Sequence, residues 1–166
     1  MKNKIQIFVT GGTFDKTYNY INGKLFFQKT HIPKMLDRAR CNLDVEVKQL
    51  MLIDSLEMKE KHLKIIKNAC LNCKTNLIII THGTDTMTNT AKHLIKNKIL
   101  NKVIVLTGAI VPYAFGSSSD GFFNLGSALS AVQNLKEGVY INMHGQTFKG
   151  DKVLKDIKNG LFKSTN

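Results

Sequence analysis

The run Asn76-Leu77-Ile78-Ile79-Ile80-Thr81-His82-Gly83-Thr84-Asp85-Thr86-Met87 passes from wholly apolar to polar within one residue. Leu77 to Ile80 is short and continuously apolar, the pattern of a strand buried on both faces. Downstream, over Thr88–Asn97, Ala91, Leu94 and Ile95 fall three and four residues apart, the spacing of a helix's buried stripe. The hydroxyls and the carboxylate between these segments therefore stand at a strand-to-helix junction. In an open parallel sheet that junction is the mouth where ligands bind. A helix cap takes one such side chain, and Thr84 or Asp85 would serve. Four polar side chains exceed that need and mark a candidate site.

Working outward, the same grammar repeats. Ile5–Val9 reads as strand one, and Thr10-Gly11-Gly12-Thr13 as the turn leaving it. Paired glycines admit backbone angles closed to other residues and let a ligand approach the main chain. The spacing matches neither a P-loop nor the dinucleotide fingerprint. Asn22-Gly23, set among Tyr18, Tyr20, Leu25, Phe26 and Phe27, is a strong hairpin signal. A hairpin placed there is a candidate flap over the first turn. Ile32–Cys41 reads as a short helix with Pro33 in its first turn. Val45–Leu50, extending toward Ile53, is strand two. Asp54-x-x-Glu57 has the form of a capping box opening the next helix, with Ser55 beside it at a strand's carboxyl end.

Strand four is Val103–Leu106, followed by a loop over Ile110–Ser119 that ends in a serine run. Asp120 is expected to cap a helix carrying Phe123, Leu125, Ala128, Leu129 and Val132 and ending near Gly138. Val139–Met143 is strand five. Strands alternating with helices predict one α/β domain over 1–166. It is three-layered, with a mostly parallel five-stranded sheet, helices on both faces and a β-hairpin flap after strand one. Thr13, Ser55 and Thr84-Asp85 then follow different strands at one rim.

The totals agree with a single domain of ordinary core size: 166 residues, 43% of them hydrophobic. The basic start is followed by too short an apolar run for a signal peptide, and no segment has the length of a membrane span. Three cysteines, Cys41, Cys70 and Cys73, suit reduced thiols and a cytoplasmic chain. The net charge of +12 raises nucleic-acid binding as a minority reading, since the lysines are dispersed rather than gathered in one stretch.

Chemically, the rim offers hydroxyls at Thr13, Ser55 and Thr84 and a carboxylate at Asp85. A threonine hydroxyl is a nucleophile only when a base takes its proton. His82 is one candidate, although it lies inside the strand end; a desolvated lysine is another. Backbone N–H groups of Gly11-Gly12 or of Gly83 are candidates for an oxyanion hole. These parts fit acyl transfer on an amide or ester. No set of three convergent ligands suggests a metal, and no cofactor is expected.

Thr10-Gly11-Gly12-Thr13 after one strand and His82-Gly83-Thr84-Asp85-Thr86-Met87 after another resemble the bacterial-type L-asparaginase/glutaminase family. Asp54-Ser55, Gly108-Ala109 with Pro112, Ser119-Asp120-Gly121 with Asn124-Leu125, and Gly150–Lys155 extend the resemblance over nearly the whole chain. It covers only the amino-terminal domain of a typical member. The resemblance implies that Thr13 is the first catalytic threonine, supported by a flap tyrosine, Tyr20 or alternatively Tyr18. It implies a second catalytic group of Thr84, Asp85 and Lys155. Ser55 would hold the substrate's α-carboxylate and Asp85 its α-ammonium, with Gly12 and Gly83 lining the substrate. Leu56 stands where many members carry a polar residue, and Val111 where an arginine is common. The implied partners are a small amino-acid amide and further copies of the chain, as homodimer or homotetramer. Against hydrolysis of L-asparagine stand two alternatives: an amino-acid-binding or regulatory module, and an ammonia-supplying component of a tRNA-dependent amidotransferase.

Overall fold

The structure, a computed structural model, describes residues 4–99 and 101–165; the basic first residues of the chain lie outside them. The chain runs β1 (Ile5–Gly11), β2 (Lys16–Asn19), β3 (Lys24–Phe27), α1 (Ile32–Arg38), β4 (Val45–Ile53), α2 (Glu60–Leu71) and β5 (Leu77–Thr81). It continues with α3 (Met87–Lys96), β6 (Val103–Thr107), α4 (Gly121–Asn134), β7 (Gly138–Met143), β8 (Gln146–Lys149), β9 (Val153–Asp156) and β10 (Leu161–Ser164). Short 3-10 turns at Thr13–Asp15, Ser55–Glu57 and Tyr113–Ser118 fill three of the connections.

The main sheet has the order β4-β1-β5-β6-β7-β8. Its first five strands are parallel, as the alternating pattern requires, and a sixth, β8, turns back antiparallel on β7. That sixth strand goes beyond the five expected. Its four residues follow a tight turn at His144-Gly145, where both residues have positive φ, the geometry of a two-residue hairpin. The last segment forms a second small hairpin, β9 with β10.

Alternation along the strands builds two cores. Ile5, Ile7 and Val9 of β1 face one way, with Ile79, Val105, Met35 of α1 and Leu125, Ala128 and Val132 of α4. Phe8 faces the other way with Ile78, Ile80, Ile104, Ile66 of α2 and Ala91 and Leu94 of α3. Phe148, Val153 and Phe162 join this second core, and so the carboxyl-terminal hairpin is held against the body of the domain.

The strand order places a switch point between β1 and β5. The connection leaving β1 runs to β4 on one side, whereas that leaving β5 runs to β6 on the other. Chains departing in opposite directions open a crevice at the strands' carboxyl ends, and ligands bind in such crevices. Gly11-Gly12-Thr13 and Thr81–Asp85 form the two lips of this one.

Several local readings shift. Asp54 caps through Leu56 N–H (3.0 Å), but it caps a 3-10 turn, and α2 begins only at Glu60. There the His62 ring, not Glu57, reaches back to a backbone N–H, that of Lys59 at 3.0 Å. Asp120 precedes α4 without capping it; its carboxylate instead accepts from Ile110 and Val111 N–H. The loop over Ile110–Ser119 is thereby folded onto its neighbour. α1 stops at Arg38 and α4 at Asn134, both short of the expected ends.

Candidate functional site

Three turns at the sheet's carboxyl end meet through their glycines. Gly12 has φ of +79°, and a methyl group there would stand 2.3 Å from the Cα of Gly83. One on Gly83 would stand 2.5 Å from Ser55 Oγ. One on Gly108 would stand 2.4 Å from the His82 carbonyl oxygen. The ends of β1, β4, β5 and β6 are thus drawn into close contact. Only glycine allows that approach.

This packing also assigns the backbone donors. Gly12 N–H donates to the Ile53 carbonyl at 3.0 Å, so its role is close approach rather than donation. Gly83 N–H has no acceptor among the described residues. Thr86 does not cap α3 with its side chain; it donates its hydroxyl to the Ser55 carbonyl at 2.9 Å. That bond ties the β4 and β5 turns together and helps to keep Ser55 buried.

Thr84, Asp85 and Lys155 come together from distant parts of the sequence. Lys155 Nζ donates to Thr84 Oγ1 at 2.7 Å and is hydrogen-bonded and ion-paired to Asp85 Oδ1. Lys155 lies on β9, whose neighbours Val153 and Phe162 are anchored in the core. Its own side chain is 12% exposed and Asp85's is 47% exposed, so the pair faces the opening. Neither Thr84 nor Asp85 caps α3. The polar surplus at this junction is spent on lysine.

Thr13 opens the 3-10 turn after Gly12; it is half-buried, and its hydroxyl makes no hydrogen bond among the described residues. The hairpin flap is present as β2 paired with β3. Tyr20 stands at its tip, 85% exposed, and Tyr18 meets the edge of Phe115 at 6.5 Å. Neither tyrosine hydrogen-bonds Thr13 among the described residues. Leu56, next to Ser55, is 71% exposed at the rim.

His82 is not placed as a base. It is wholly buried between the Gly83 carbonyl (Nδ1, 2.7 Å) and Thr90 Oγ1 (Nε2, 2.8 Å). Since a carbonyl only accepts, Nδ1 carries the proton, and Nε2 accepts from the Thr90 hydroxyl. Burial lowers its pKa to about 4, against the opposing effect of the Gly83 bond. The ring is a neutral strut beneath the Gly83 turn.

Three further residues shape the site, of which Lys16 and Asp15 carry no sequence signal and Asn124 belongs to a motif of the family resemblance. Lys16, at the flap's base, pairs with Asp54 at 2.5 Å. Burial pushes the Asp54 carboxyl upward, but the Lys16 and Leu56 hydrogen bonds outweigh it and hold the pKa below the usual range. Asp15 lies buried two residues after Thr13 and accepts from Thr30 Oγ1 (3.0 Å) and His31 N–H (2.9 Å). Its second oxygen has no partner among the described residues. Burial raises its pKa to about 6, partly offset by those two bonds. Asn124 joins the turns after β6 and β7, donating to the Gly108 carbonyl at 2.9 Å and accepting from His144 N–H at 3.1 Å.

Among the described residues, no three His, Cys, Asp or Glu side chains gather where a metal ion could be held. No helix there is long and apolar enough to cross a membrane.

Fold and site together define a doubly wound α/β domain with a hydroxyl, carboxylate and lysine centre at its switch point. The sequence model of the family described as "Asparaginase, N-terminal" matches residues 4–163. The chain belongs to the asparaginase family. It is 32% identical to L-asparaginase 2 of Escherichia coli, covering 98% of this chain and 49% of that one. It is also 32% identical to a glutamyl-tRNA(Gln) amidotransferase component of Methanococcus maripaludis, covering all of this chain and 43% of the relative. The crystal structure of L-asparaginase I from Vibrio cholerae superposes with a TM-score of 0.87 at 24% identity. That likeness covers 100% of this chain and 52% of that one and speaks to the fold. The chain thus spans about half the length of the relatives it matches.

Proposed function

We propose that this chain is an amidohydrolase that cleaves the side-chain amide of L-asparagine to L-aspartate and ammonia, with Thr13 as nucleophile. Thr13 Oγ1 adds to the amide carbon, and its proton passes to the departing nitrogen. The C–N bond breaks, ammonia leaves, and water hydrolyses the resulting β-aspartyl ester. Activation of a weak nucleophile and charge stabilisation in the transition state are the two demands of this chemistry. Lys155, bonded to Thr84, orients that hydroxyl and supplies positive charge. Gly83 N–H, without an acceptor among the described residues, is a backbone donor for the developing oxyanion. Ser55 and the outer side of Asp85 receive the α-carboxylate and α-ammonium, and Tyr20 closes over Thr13 when the flap folds down.

The observation that carries the proposal is the Thr84–Asp85–Lys155 cluster at the switch point between β1 and β5. We place the enzyme in the cytoplasm as a homodimer or homotetramer; three free cysteines support the reducing compartment, and light scattering tests the assembly. The amidotransferase relative supports a second reading, an ammonia-supplying component acting in a complex with tRNA. Ammonia release from free L-asparagine and L-glutamine separates the two. The first reading expects turnover of asparagine by the chain alone, and the second expects none without a partner and a charged tRNA.

A further inference from the structure

A second concave region, which shares no lining residue with the Thr84–Asp85–Lys155 cluster, lies between α1 and the Tyr113–Ser118 turn. His31, at the N-cap of α1, and Lys34 and Arg38 within it fall three and four residues apart, and so on one side, and all three line a cavity of about 270 Å³. Among the described residues neither the Lys34 nor the Arg38 side chain has an ion-pair partner or a hydrogen bond. Tyr113 lines the same cavity; it is 8% exposed, and its buried hydroxyl has no partner among the described residues. Buried polar groups are paired in the great majority of folded proteins, so an orphan beside uncompensated cations points to an absent acceptor. Burial, then the charges of Lys34 and Lys29, hold the His31 pKa below its ordinary value. The cavity is therefore electropositive even where a ring has given up its proton.

This cavity does not end at Arg38. Arg38 and Gly116 also line an adjoining hollow of about 410 Å³, whose other walls are Ser117, Ser119, Phe122 and Phe123. Both phenylalanines remain exposed at the surface of α4, and Phe122 is stacked on Tyr113 at 6.3 Å. Cations that hold an oxyanion beside aromatic faces that accept a planar ring are the pairing that binds nucleotides without sequence preference.

We propose that this double hollow is a nucleoside phosphate site, with the phosphate held by His31, Lys34, Arg38 and Tyr113 and the base on Phe122 and Phe123. Arg38, shared by both hollows, bridges the two halves. A free nucleotide and the end of a single-stranded RNA carry the same chemistry. Occupancy would be felt at the strand-end centre, because His31 is bonded through its N–H to Asp15, two residues after Thr13.

Isothermal titration calorimetry of the full chain with AMP, adenosine, inorganic phosphate and a short single-stranded oligoadenylate RNA tests this. AMP is expected to bind saturably, and more tightly than adenosine or phosphate. Lys34→Ala with Arg38→Ala weakens AMP about tenfold or more, as for two lost charge-assisted contacts. Phe122→Ala with Phe123→Ala weakens AMP comparably and leaves phosphate unchanged. RNA binding tighter than AMP and falling steeply with salt identifies a polymer as the natural source; equal affinities identify the free nucleotide. No saturable AMP binding, or AMP binding indifferent to both double substitutions, overturns the proposal. All four substituted side chains are at the surface, so the folded chain remains available for the measurement.

Discussion

Replacing Asp15 with Asn should change how stability depends on pH, with the largest effect above pH 6. Burial raises the Asp15 pKa from 3.8 to about 6. A carboxyl that holds its proton more tightly when folded favours folding below pH 3.8, and that favour is lost as pH rises through about 6. The shift corresponds to about 3 kcal/mol. His82 runs the other way. Its pKa falls from 6.5 to about 4, so its neutral buried ring is fully accommodated above pH 6.5 and penalised as pH falls through about 4. That contribution is also about 3 kcal/mol. The two windows overlap and the signs oppose, so the wild-type profile should be nearly flat between pH 4 and pH 6. Asp15→Asn keeps an acceptor for Thr30 and His31 N–H and cannot ionise. Its unfolding free energy, from urea titrations across this range, should climb by about 3 kcal/mol or more toward neutral pH, exposing the contribution of His82 together with that of His31, whose pKa is also lowered. Profiles for the variant and the wild type that run parallel would show that Asp15 does not titrate with folding in this range.

Other predictions address the centre itself. Gly83→Ala would press a methyl group against Ser55 Oγ, which lies 2.5 Å from its position. We expect a stability loss of about 1–3 kcal/mol by thermal melting, with a rise in KM for asparagine larger than the fall in kcat. Lys155→Met should abolish ammonia release, yet cost under about 1 kcal/mol of stability, because its partner Asp85 is nearly half exposed; a collapse in melting temperature would show a structural role instead. Asp54→Asn removes the charge opposite Lys16 at the foot of the flap. Limited proteolysis should then cut faster within residues 16–27, and an unchanged rate would mean the pair does not restrain the hairpin.

The sheet is legible in the sequence because parallel strands buried on both faces are written as unbroken apolar runs, and Leu77–Ile80 is such a run. β8 carries no such signal, because its four residues are exposed except Phe148. Its strand character comes from the turn at His144-Gly145 and from pairing with β7, not from its own pattern. Asp54 does signal a cap, but of a different element than expected, since a 3-10 turn and an α-helix present the same first donors. Thr13, Ser55, Thr84 and Asp85 can be named because the strand-end rule applies to each separately. The partnership of Lys16 with Asp54, and the burial of Asp15, depend on contacts between distant segments, and no local spacing encodes them. His82 shows the reverse case: composition offers it as one candidate base, and burial makes it a strut.

In the proposed function, Thr13 and the Thr84–Asp85–Lys155 cluster form one hydrolytic centre. Steady-state ammonia release from L-asparagine, measured for the wild type, Thr13→Ala and Thr84→Val with folding checked by circular dichroism, tests it most directly. Turnover by the wild type and its loss in each folded variant are expected. Undetected turnover by the folded wild type, or full activity in Thr13→Ala, would contradict it.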